Sequence, residues 1–134
     1  VFGVVLAHGL LVRVNASFER VIDVFKPGRE FSNVYFEVLK TRPRIAIAVG
    51  EKYFFRAGNY LTVTMILIEE DRSTLVKAIA AGGRRGLMDF FDLGSSRDYA
   101  RESINNICAL TRATCEVLRE VEYLDASKSE LLKT

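Results

Sequence analysis

Gly58-Asn59-Tyr60-Leu61-Thr62-Val63-Thr64-Met65-Ile66-Leu67-Ile68-Glu69 is the stretch that decides the fold class of this 134-residue chain. Leu61, Val63, Met65 and Leu67 fall on one side and Thr62 and Thr64 on the other, the period of two that marks a strand. Gly58-Asn59 before it is a two-residue hairpin signal. Downstream, Glu70-Asp71-Arg72 turns into a second strand over residues 74–81. Upstream, residues 34–39 are strand-prone and end at Thr41-Arg42-Pro43. Residues 44–49 follow, then Gly50-Glu51 reads as a tight turn before residues 52–56. Consecutive hairpins of this kind predict an antiparallel meander. Residues 9–14 add a first strand and residues 87–93 a last one, five to seven in all.

Two helical segments flank the strands. Phe18, Val21, Ile22 and Phe25 take the i, i+3, i+4, i+7 spacing of one buried helical face. Asn15 or Ser17 is the candidate cap, and Pro27-Gly28 the stop. Near the C-terminus, Ser95 and Asp98 have capping-box spacing. Ile104, Ile107, Cys108, Thr111, Cys115, Leu118 and Val121 then form one stripe, predicting a helix of about 25 residues and about 37 Å. The expected fold is therefore α+β: an antiparallel meander with a short N-terminal helix and a long C-terminal helix packed across it. Residues 1–124 form one domain, with residues 1–8 an apolar arm or strand extension. Residues 125–134 are read as a polar tail that frays.

Composition excludes several classes. Apolar residues make up 49% and charged ones 27%, unlike a disordered or coiled-coil chain. A folded domain of this mass buries about two-thirds of its surface. No apolar run approaches the roughly 18 residues of a membrane span. Residues 1–12 are largely apolar like a signal h-region, but no basic region precedes them and no clear small-residue cleavage site follows. Nineteen basic and 17 acidic residues leave a net charge of +2, too weak a field to argue for nucleic acid. Thirteen arginines against six lysines, with no glutamine, suit a heat-loving source. Two cysteines fit a reducing cytoplasm.

The order strand, short helix, meander and long helix resembles the topology of helix-grip domains (START and Bet v 1-like), which bind lipids and hormones between helix and sheet. A second resemblance rests on residues: Tyr53, Gly58-Asn59 leading into Leu61-Thr62-Val63-Thr64, Lys77-Ala78-Ile79-Ala80-Ala81-Gly82-Gly83, and Phe90-Phe91 before the last helix. Residues 53–95 thereby resemble a small family of uncharacterised prokaryotic proteins, and residues 12–25 extend the likeness. Arg84-Arg85 departs from the small or uncharged residues expected there. The resemblance implies a single domain and carries over no catalytic residue.

Candidate sites are few. His8 is the sole imidazole, and its apolar segment suggests a surface or strand-edge role. Cys108 and Cys115, placed on one helix, would lie about 10 Å apart, too far for a disulfide. They read as two small buried hydrophobes, and with one histidine they cannot complete a zinc site. Glu69, Glu70 and Asp71 sit at a hairpin tip, a solvated turn. Asp89 and Asp92 flank Phe90-Phe91, where apolar rings can raise a carboxyl pKa. No catalytic, metal or cofactor site follows, and the chain reads as a non-enzyme.

Two binding readings remain, with an alternative. Ile45, Ile47 and Val49 oppose Ala46 and Ala48, and Leu75 and Ile79 oppose Val76, Ala78 and Ala80, so both sheet faces are apolar. The helices cover one face, although the alternation does not say which. The other must be covered by the N-terminal arm, by a partner, or by a second copy of the chain, giving a homodimer. Otherwise an apolar small molecule occupies a helix–sheet cavity lined by Phe54, Met65, Leu67, Phe90, Ile107 and Thr111. The alternative is an anion or nucleic-acid site at Gly82, Gly83, Arg84, Arg85 and Gly86, where backbone amides and guanidinium groups could hold phosphate. The lysine and hydroxyl residue of a P-loop are missing.

Overall fold

The computed structural model describes residues 7–27, 33–54, 58–82 and 94–134. Its strands are β1 (His8–Val14), β2 (Asn33–Leu39), β3 (Ile45–Phe54), β4 (Asn59–Glu69), β5 (Thr74–Ala81) and β6 (Cys115–Val121). Two helices, α1 (Phe18–Asp23) and α2 (Ser95–Thr111), pack on one face. The fold is α+β, as its patterning predicts. All pairings are antiparallel, in the order β2-β3-β4-β5-β1-β6. The expected strand over residues 87–93 lies outside the described residues.

One row of the inner face, Phe36, Ala48, Met65, Ala78, Leu10, alternates large and small side chains across the strands; the next, Val38, Ala46, Leu67, Val76, Val12, is apolar throughout with one small member. Such alternation lets side chains interdigitate beneath a helix. Tyr99, Ala100, Ile104 and Ile107 of α2 complete this core, and Phe25 stacks on Phe36 at 5.2 Å. The small residues thus face the helices and the isoleucines face away. Gly50 belongs to the same inner set: it is buried and pairs with Val63 in an unbroken β3. The expected Gly50-Glu51 turn is corrected accordingly, because alternation carries straight through it.

The long C-terminal helix is also corrected. α2 ends at Thr111, and Arg112 closes it in the left-handed region at φ 56°, donating its N–H to the Ala109 carbonyl. Residues 115–121 then pair with β1 as an edge strand, with a bulge opposite Leu11/Val12. The bulge adds a residue to the strand, so Cys115, Leu118 and Val121 recur every third position and imitate a helical stripe. Ser95 is the first helical residue and not the cap; Gly94, at φ 92°, holds that place and accepts a bond from the Asp98 N–H at 2.8 Å. Ser17 caps α1 as expected, accepting from the Arg20 N–H at 3.2 Å.

Residues expected to fray instead fold back. Ala126–Leu132 forms a 3₁₀ helix capped by Asp125, and Leu132 and Leu124 are buried against the far side of β1. Gly9 leaves room for this contact: a Cβ there would stand 2.5 Å from Leu132 Cδ1, the end of a side chain that would have to shift. The C-terminal segment therefore covers the β1–β6 end of the outer face.

Candidate functional site

The outer face of β2 to β5 carries three transverse rows that reach all four strands, and a further row of Glu51, Thr62 and Ala81. The first carries Leu39, Ile45, Ile68 and Leu75. The second carries Glu37, Ile47, Ile66 and Lys77, and the third Tyr35, Val49, Thr64 and Ile79. Ile45, Ile47, Val49, Ile66, Ile68 and Ile79 are only half-buried, while Tyr35 keeps 51% of its surface exposed. Beyond the rows, Tyr53 and Tyr60 meet edge to face at 5.1 Å and are both exposed. At about 4.8 Å between strands and 3.4 Å per residue, the face measures about 19 by 30 Å. Its charged members are Glu37, Glu51 and Lys77. Glu37 accepts a bond from the Tyr35 hydroxyl at 2.6 Å, which holds that phenol above its usual range.

The proposed cavity residues are placed differently. Met65, Leu67 and Ile107 are 1%, 0% and 0% exposed within the core, so a water-sized sphere touches essentially nothing of them. Phe54 is half-buried and packs against Tyr99, with ring centroids 5.5 Å apart. Tyr99 has its phenol pushed up to about 12, chiefly by burial. Thr111 donates its hydroxyl to the Ile107 carbonyl at 2.7 Å and lines a groove of about 390 Å³ between α1 and the end of α2. Arg20 donates to the Thr111 carbonyl in that groove. Phe90 lies outside the described residues, as do Gly83, Arg84, Arg85, Gly86, Asp89 and Asp92. Gly82 closes β5 at φ 122°.

His8 is not at a surface or edge. It is 3% exposed on β1, and its Nε2 stands 2.6 Å from Glu120 Oε2. Arg101 of α2 donates to both oxygens of the same carboxylate, at 2.8 and 3.1 Å, and holds it below the usual glutamate range. The trio ties α2 to the β1–β6 edge. Glu69 and Glu70 are likewise lowered, by Arg44 and Arg13. Each of these carboxylates is the ion-pair partner of its arginine. Among the described residues no three His, Cys, Asp or Glu side chains gather where they could hold a metal.

Cys108 and Cys115 are joined in a disulfide with Cα atoms 6.2 Å apart. The reading of two separate buried thiols is overturned, because the chain turns at Arg112 and brings the strand back beside the helix. The pairing also removes the argument for a reducing compartment that rested on free cysteines. No helix of the described residues is long and apolar enough to cross a membrane.

These features define an α+β domain with an open antiparallel sheet, helices on one face and an apolar second face. The chain belongs to a family of unknown function, DUF6054, whose model matches residues 32–110. That span holds all of β2 to β5, and hence the whole four-stranded outer face, plus α2 short of its last residue. Neither the curated proteins nor the solved structures compared with the chain gave a match.

Proposed function

We propose that this protein is a non-catalytic assembly protein that self-associates through the outer face of β2 to β5. One observation carries the reading: isoleucines and a valine fill the middle of that face and stay half-buried, while the C-terminal segment packs at the β1–β6 end in a cluster that reaches Leu75, with Ile68 and Ile79 against it. In projection the face covers about 570 Å², the same order as the roughly 800 Å² that each partner contributes to a standard interface. Apolar sheet of this extent is the surface on which two sheets pack about 10 Å apart as a sandwich. Burial of Met65, Leu67 and Ile107 favours this face over the helix–sheet space as the working surface.

Light scattering on a sizing column tests it. The expected species at micromolar concentration has twice the chain mass of 15.1 kDa. Ile47→Lys or Ile66→Lys should give a folded monomer, since each places a charge in the centre of the interface. A wild-type monomer would overturn the proposal.

A further inference from the structure

The two halves of the outer face answer each other across the β3–β4 seam. In the central row, Glu37 lies on β2 and Lys77 on β5, with Ile47 and Ile66 between them. About 14 Å of sheet separates the two charges, so they do not pair within one chain. Among the described residues Lys77 has no ion-pair partner.

Two identical faces that pack together are related by a two-fold axis lying in the plane between them. An axis across the strands through this row would set Glu37 on the partner's Glu37 and Lys77 on the partner's Lys77. An axis along the strands, above the β3–β4 seam, lays β2 over the partner's β5. Glu37 then faces the partner's Lys77, twice by symmetry, and Ile47 faces the partner's Ile66. Opposed like charges at a desolvated interface are strongly disfavoured, so the charges select the second arrangement.

We infer that the chain forms a two-fold dimer about an axis along the β3–β4 seam, with Glu37 and Lys77 setting its orientation and register. Aligned sheets cross at about 30°. The row ends lie about 7 Å from the axis, so that rotation displaces them by about 4 Å, within reach of a lysine's flexible stem. The C-terminal segment over β1, in a cluster that also takes in Leu75 of β5, bounds the face on that side.

The inference rests on the self-association reading, and mixing charge variants separates the two. Glu37→Lys alone and Lys77→Glu alone each place two like pairs in a homodimer and should weaken it about tenfold or more. A one-to-one mixture restores both opposite pairs, so native mass spectrometry should show the heterodimer dominating. Homodimers as tight as wild type, mixing statistically, would overturn this axis while leaving self-association standing. A monomeric wild type would sink both. If the charge variants misfold, Glu37→Cys mixed with Lys77→Cys under oxidant gives a second reading. The axis predicts a crosslink only in the mixture, and crosslinking of either variant alone would overturn it.

Discussion

Breaking the Cys108–Cys115 bond should cost the protein both global stability and the local order of its edge strand. The bridge spans a sequence separation of 7. In the loop-closure picture a crosslink over a loop of about eight residues removes about 8 cal/mol/K from the unfolded chain, or about 2.5 kcal/mol at 25 °C. At about 2.1 cal/mol/K of unfolding entropy per residue, that corresponds to a fall in melting temperature of about 9 °C. The effect should be uneven. Among the described strands β6 pairs with β1 alone, and most of its side chains are exposed, so the bridge to α2 is a main restraint on it. Calorimetry of Cys115→Ser, or of the wild type with and without reductant, reads the global term. Hydrogen exchange reads the local one, with amides of β6 speeding up more than those of β4 in the middle of the sheet. Alkylation of the denatured, unreduced protein should add no mass. Two labelled thiols, or a melting temperature unmoved by reduction, would refute the reasoning.

Further predictions follow from other contacts. Gly9→Val should destabilise by about 1–3 kcal/mol through overpacking, because even a Cβ meets Leu132. The cost should shrink in a Leu132→Ala background, and equal costs in both backgrounds would disprove the contact. Glu120 has its carboxyl lowered first by the Arg101 hydrogen bond. A depressed carboxylate contributes stability that is present above the usual 4.5 and is lost as pH falls through the folded value. Acid melting curves should therefore drop below about pH 4.5, and less steeply in Arg101→Gln. A variant curve parallel to wild type would deny Glu120 that part.

Much of the fold follows from short-range pattern. The alternation at residues 61–67, the Gly58-Asn59 turn, and the Phe18, Val21 and Phe25 spacing under a Ser17 cap all depend on neighbours within one element. For that reason β4, β5 and the start of α1 are readable from the chain alone. The family likeness of residues 53–95 was legible in the same way, from a run of residues that sits inside the matched span. Three other matters needed the folded chain. Which apolar face receives the helices depended on volume: Ala46, Ala48 and Ala78 leave room for Met65, Leu67 and α2, whereas the more hydrophobic isoleucines are turned outward. The end of α2 lay at Arg112, a left-handed position with no glycine or proline to announce it. The bulge then gave β6 a helix-like spacing of apolar residues. The disulfide inherited that ambiguity, since two cysteines seven apart are too distant on a helix and adjacent across a helix–strand turn. Local spacing determines what each segment prefers to be. Only tertiary structure decides which preference prevails where two periods coincide, because pairing with β1 and the bridge to α2 outweigh the small difference between continuing a helix and starting a strand.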